Sequence, residues 1–153
     1  RGLGDVYKRQ INYIVVHCSA TREGCTLTSE ALEAEHRRRG FRTTGYHYYI
    51  RRDGTVLGTR SLELPGAHCR GHNKYSIGIC YEGGLDAWGN PKDTRTPEQR
   101  SALHLLVYQL LQQFRNARVC GHRDLSPDLD GDGTVEPWEW VKQCPCFEVS
   151  KEF

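Results

Sequence analysis

The sequence has no apolar run approaching the roughly 18 residues that span a membrane. No basic-then-apolar leader is visible at its start. Charge of one sign is also lacking. Lys and Arg number 21 against 19 Asp and Glu, a formal net charge of +2. Such a balance sets up no strong field, so neither a nucleic-acid partner nor membrane insertion is expected. C-x-x-C pairs are missing as well. The seven cysteines match no zinc finger or ribbon, because Cys144-Pro145-Cys146 is C-x-C. There are no internal repeats and no linker that would split the chain. What remains is an ordinary globular composition, 37% hydrophobic and 26% charged over 153 residues. That is the size of one domain with a real core, expected to act as a monomer.

Residues 1–10 (RGLGDVYKRQ) resemble a translated sequencing-library adapter more than protein design. They are expected to be a non-native tail, leaving 11–153 as the domain. Ile11 to His17 carries the β-branched run Ile14-Val15-Val16 and reads as a strand. Thr28 can cap a helix running to about Arg39, with Gly40 just past its end. Leu27, Ala31 and Ala34 offer that helix a modest apolar face, and Arg37, Arg38 and Arg39 a solvated end. Gly45–Ile50 and Thr55–Thr59 read as a hairpin turning at Asp53-Gly54. Lys74–Tyr81 reads as a strand after a loop rich in Gly and His.

The strongest local signal follows. Thr96-Pro97-Glu98-Gln99 is a capping box with proline in the first turn. Leu103, Leu106, Val107, Leu110, Leu111 and Phe114 then recur at helical spacing as a buried stripe. Strands alternating with helices imply an α/β fold: a single domain with a central, mainly mixed β-sheet flanked by helices.

Three stretches carry metal-ligand chemistry: Val16-His17-Cys18, Gly121-His122-Arg123-Asp124 and Lys142-Gln143-Cys144. Two imidazoles and a thiolate suit zinc, and three protein ligands leave a fourth position for water, as a catalytic site requires. A closed structural site would need a further ligand, with Cys18 or Cys146 the candidates. His17 and His122 each follow a strand-like run, and strand ends are where α/β proteins place their sites. The remaining cysteines are expected to be mostly free thiols, three of them (Cys18, Cys80, Cys120) within strand-like apolar runs.

The chain resembles the type 2 N-acetylmuramoyl-L-alanine amidases, the family of phage lysozyme-type amidases and peptidoglycan recognition proteins. The matching stretches are VVHCSAT (from Val15), GYHYYIRRDGTV (from Gly45), GAHCRGHNKYSIGIC (from Gly66), TPEQRSAL (from Thr96), GHRD (from Gly121) and KQCPCFEV (from Lys142). The resemblance implies one catalytic zinc on His17, His122 and Cys144, with Tyr46 and Lys142 catalytic and His68 and Asn73 binding substrate. It implies hydrolysis of the bond between N-acetylmuramic acid and L-alanine in peptidoglycan, or, as the alternative, a non-catalytic peptidoglycan-binding module. The expected free thiols suit a chain made in a reducing cytoplasm, and the resemblance implies action on the cell wall after release. Some relatives carry a glutamate base where this chain has Cys80, so Tyr46 is expected to do more of the work here. His47 is expected to be a buried, satisfied histidine facing away from the cleft.

Residues 128–139 also fit a twelve-residue calcium loop, with Asp128, Asp130, Asp132, Thr134 and Glu139 as ligands. The other reading is an acidic, Gly-rich surface loop without an ion. The filled ligand positions favour calcium.

Overall fold

The computed structural model describes residues 9–41, 43–127, 129–133, 135, 137, 140 and 142–153. Strand β1 is Tyr13–Cys18, and its last five residues are buried. A short β2, Thr21–Arg22, follows. Helix α1 spans Ser29–Arg38, and the Thr28 hydroxyl accepts the Ala31 N–H as its N-cap. The expected hairpin forms from β3 (Tyr48–Ile50) and β4 (Val56–Gly58), paired antiparallel. Gly54 takes φ +90° in its turn, where only glycine is comfortable. Strand β5 is Ser76–Tyr81, and β6 is Gly84–Leu85. Helix α2 is Pro97–Gln113, started by the expected capping box of Thr96 and Gln99. Strand β7 is Arg118–Gly121.

The main sheet has the order β4-β3-β5-β1-β7. β1 runs parallel to both β5 and β7, and β3 is parallel to β5, so the sheet is mixed only at its β4 edge. Strands β2 and β6 pair separately, a small second sheet that short polar runs did not announce.

The two-residue period of a strand sends alternate side chains to opposite faces. On one face Ile14, Val16, Ile77, Ile79 and Ile50 pack with Leu103, Leu106, Val107 and Leu110 of α2. On the other face Tyr49 and Cys80 pack with Leu32 of α1. The buried face of α1 is therefore Leu32 and His36, while Ala31 and Ala34 are exposed, contrary to the sequence expectation. His36 wins this place through a polar bond, its Nδ1 accepting the Gly45 N–H at 2.8 Å. An imidazole on an apolar stripe is invisible to a hydrophobic pattern.

Two buried charged groups tie the ends of the fold. Glu82, next after β5, accepts from Leu27 N at 2.7 Å, Arg51 Nε at 2.9 Å and Arg52 N at 2.9 Å. Burial alone would raise its pKa, and these three donors outweigh burial and lower it. Arg95 stacks at 3.4 Å over Phe147 and pairs with Asp93 and Glu152, fixing the C-terminal segment against the α2 face. The Glu152 carboxyl is pulled down to about 2, first by its hydrogen bond from Arg95.

Candidate metal centre

Register brings the first two candidate ligands together. Val16 pairs with Gly121 across the parallel β1–β7 ladder. The next residue after each is a histidine, His17 within β1 and His122 just past the end of β7, so the two emerge side by side at the carboxyl ends. Their ring centroids lie 4.6 Å apart. Cys144 arrives from a distant part of the chain. The ligand atoms of His17, His122 and Cys144 all lie within 4.8 Å of one another, and among the described residues this is the group of His, Cys, Asp or Glu gathered so closely.

The donor set fits a zinc ion in three ways. First, burial, then His68, His122 and Lys142, hold the His17 pKa well below 6.5, so the imidazole is neutral and ready to ligate. Second, the Cys18 N–H donates to Cys144 Sγ at 3.2 Å, a hydrogen bond suited to a thiolate. Third, neither candidate for a closing ligand joins the group. Cys146 Sγ instead donates to Gly84 O at 3.3 Å, and Cys18 Sγ lies 4.0 Å from Cys146 Sγ. The Cys18 thiol is pushed up to about 12, first by its contact with Cys144. All seven cysteines are free.

The limb bearing Cys144 is held from several sides. The Arg123 N–H donates to Cys144 O at 2.9 Å, and the buried Tyr81 hydroxyl donates to Pro145 O at 2.6 Å. A Cβ at Gly121 would stand 2.7 Å from Pro145 Cδ, so that position must stay bare for the limb to sit down. Arg123 stacks at 3.9 Å over Trp140 and pairs with Glu148 at 3.5 Å. These anchors gave no sequence signal, since each joins residues remote in the chain.

Tyr46 lies two residues before β3, its ring 5.1 Å from that of His17. Burial, then the neighbouring Cys80, Cys144 and Cys18, push its phenol well above 10, so it keeps its proton at neutral pH. Cys80 is fully buried and its thiol is pushed up by burial, so it is neutral, as expected. Lys142 is exposed at the rim. A cleft of about 270 Å³ is lined by His17, Tyr46, His68, His122, Lys142 and Cys144. A second, more open hollow of about 610 Å³ shares His122 and Lys142 with it and adds Arg70 and His72.

His68 is buried, with Nδ1 2.8 Å from His17 Nε2. The side chain of Asn73 turns to the backbone, its Oδ1 accepting the His68 and Cys69 N–H groups at 2.9 Å each. His47 is fully buried beneath the loop, as expected, with Nδ1 accepting the Gly78 N–H at 3.0 Å and Nε2 donating to Leu64 O at 2.8 Å. Arg9, at the edge of the tail set aside on sequence grounds, donates to Leu62 O at 2.9 Å and Ser76 O at 3.1 Å. Of the calcium positions, Asp130 and Asp132 are exposed, while Asp128, Thr134 and Glu139 lie outside the described residues. Nothing in the described residues supports a calcium ion there. Nor is any described helix long and apolar enough to cross a membrane.

Residues 7–145 match the family model for N-acetylmuramoyl-L-alanine amidase. The chain is 35% identical over 144 residues to an endolysin of Klebsiella phage KP32, covering 94% of this chain and 86% of that one. It is 29% identical over 117 residues to a peptidoglycan-recognition protein of Drosophila melanogaster, covering 73% of this chain and 63% of that protein. Its structure resembles that of the N-acetylmuramoyl-L-alanine amidase LysC from Clostridium intestinale URNW, with TM-score 0.73, 27% identity, and coverage of 95% and 83% of the two chains.

Proposed function

Since the chain belongs to the N-acetylmuramoyl-L-alanine amidase family, we propose that it is a zinc-dependent peptidoglycan hydrolase cutting the amide between N-acetylmuramic acid and L-alanine. The observation that carries this reading is the convergence of His17, His122 and Cys144 in the cleft that Tyr46 and Lys142 also line. A divalent ion held there supplies Lewis-acid activation of water and of the scissile carbonyl.

The chain's own groups do the rest. Amide hydrolysis passes through a tetrahedral oxyanion, and fixed donors aimed at that charge lower the barrier. Lys142 carries three N–H donors on Nζ at the rim, suited to hold the developing oxyanion. The neutral Tyr46 phenol accepts the water's O–H at Oη and so orients the attacking water. With buried Cys80 in place of a carboxylate base, we assign proton handling to Tyr46 as a relay, Oη taking the water's proton as it gives up its own. Arg70 and His72, in the adjoining hollow, give the substrate a polar approach. The likeness to the KP32 endolysin supports action on the cell wall after release from the cytoplasm. The likeness to the Drosophila recognition protein supports the alternative of a binding module without turnover, but the thiol ligand, phenol and ammonium together favour an enzyme.

The test is digestion of purified peptidoglycan followed by mass spectrometry. Free stem peptides beginning at L-alanine, with intact glycan strands, are the expected products. A chelator should abolish their release and zinc restore it. Tyr46→Phe and Lys142→Ala should each retain stoichiometric zinc and lose on the order of 10²-fold or more in turnover. Cut glycan strands, or binding without products, would overturn the proposal.

A further inference from the structure

A hydrogen-bonded line runs inward from the metal ligand. His17 Nε2 is 2.8 Å from His68 Nδ1, and His68 Nε2 is 3.1 Å from Ser76 Oγ. All three side chains are buried. Two nitrogens on one tetrahedral zinc at about 2.0–2.1 Å would stand roughly 3.3 Å apart, so 2.8 Å marks a hydrogen bond rather than a pair of ligands. One of the two facing nitrogens must therefore carry a proton. If His68 Nδ1 carried it, the proton would use the Nε2 lone pair of His17. Neutral His17 would then be protonated at Nδ1, with no nitrogen left for a metal. If His17 Nε2 carries it, Nδ1 of His17 is a bare lone pair. His68 then holds its own proton on Nε2 and donates to Ser76 Oγ.

We infer that His68 is a positioning residue for the metal ligand His17, selecting the imidazole tautomer whose Nδ1 faces the metal, with Ser76 and Asn73 in turn fixing His68. This rests on the metal-centre reading above.

The ring of His68 sits in a socket shaped for it. A Cβ at Gly78 would stand 2.6 Å from His68 Cγ, and one at Gly66 would stand 2.4 Å from His68 Cδ2. The ring is thus wedged between two bare stretches of backbone and cannot swing. Asn73 Oδ1 clamps the backbone that carries it, through the His68 and Cys69 N–H groups. A residue whose main task was to meet substrate would keep a nitrogen free in the cleft. Here both nitrogens are taken up by protein partners, and metal ligands are commonly oriented by such outer hydrogen bonds.

Zinc affinity, read by competition with a chromophoric chelator, tests this without using activity. His68→Ala should bind zinc roughly 10- to 100-fold more weakly than the wild type. Ser76→Ala should weaken it by less. His68→Gln, whose carbonyl can accept the same proton, should recover part of the loss, and an equal loss in both His68 variants would assign the effect to packing and overturn the inference. Wild-type affinity in His68→Ala would overturn it too. A wild-type chain that binds no zinc would instead remove the metal-centre reading. Should the His68 variants fail to fold, ¹⁵N NMR of the wild-type zinc form reads the tautomers directly. A proton on Nε2 of both His17 and His68 supports the inference, and a proton on Nδ1 of His68 sinks it.

Discussion

The two faces of β5 do opposite jobs. Ile77, Ile79 and Tyr81 point into the aliphatic layer under α2. Ser76, Gly78 and Cys80, interleaved with them, form a floor of small residues on the α1 face. On that floor stand His68 and His47, each bonded to it directly. One face gains stability by excluding water. The other gives up volume so that polar rings can approach the backbone and be hydrogen-bonded there. A single register sets both, because sliding β5 by one residue would exchange the faces entirely.

Substitutions that separate these faces should have separate consequences. The largest effect is expected for His122→Ala on the site side, with loss of stoichiometric zinc and of peptidoglycan hydrolysis but little change in metal-free stability. Leu103→Ala on the other side should destabilise the fold by about 2–5 kcal/mol in denaturant unfolding, while the folded fraction binds zinc normally. Loss of zinc affinity in folded Leu103→Ala would show that the faces are coupled.

Acid should attack the site face next. Burial holds His47 down at about 4 and His68 at about 3, against an ordinary 6.5. Below 6.5 the unfolded chain takes up protons that these folded imidazoles refuse. Their stabilising contribution is therefore whole above about pH 6.5 and is lost as pH falls toward each folded value. The melting temperature of the metal-free protein should fall across that window, and a flat profile would contradict the burial of these rings. The smallest effect is expected for Thr96→Ala. It removes the α2 cap at a cost of about 1 kcal/mol, with zinc affinity untouched.

The α2 face was legible in the sequence because it obeys simple periods. The capping box at Thr96 and the leucine stripe behind it marked α2, the β-branched run Ile14-Val15-Val16 marked β1, and Ile77 and Ile79 on one face marked β5. The proposed ligands His17 and His122, which the fold brings together, were legible as strand-end histidines. The site face was legible only in part. Periodicity placed Ala31 and Ala34 inward on α1, whereas Leu32 and His36 are buried, because the bond from Gly45 N to His36 depends on a chain segment elsewhere in the fold. The resemblance pointed to His68 and Asn73 without saying what they touch. The alternation of small residues along Ser76-x-Gly78-x-Cys80 was the available signal that something bulky must rest on that face.

The third proposed metal ligand lies 127 residues beyond His17, on a limb pinned by Arg123, Tyr81 and Gly121. A ribosome that has finished β1 must therefore read through every other strand of the main sheet before the trio can assemble. Any nascent or prematurely terminated product that stops short of Cys144 carries two imidazoles and no thiolate. For an enzyme with the proposed activity against cell walls, the order of translation is itself a safeguard: a partial chain is an unarmed one.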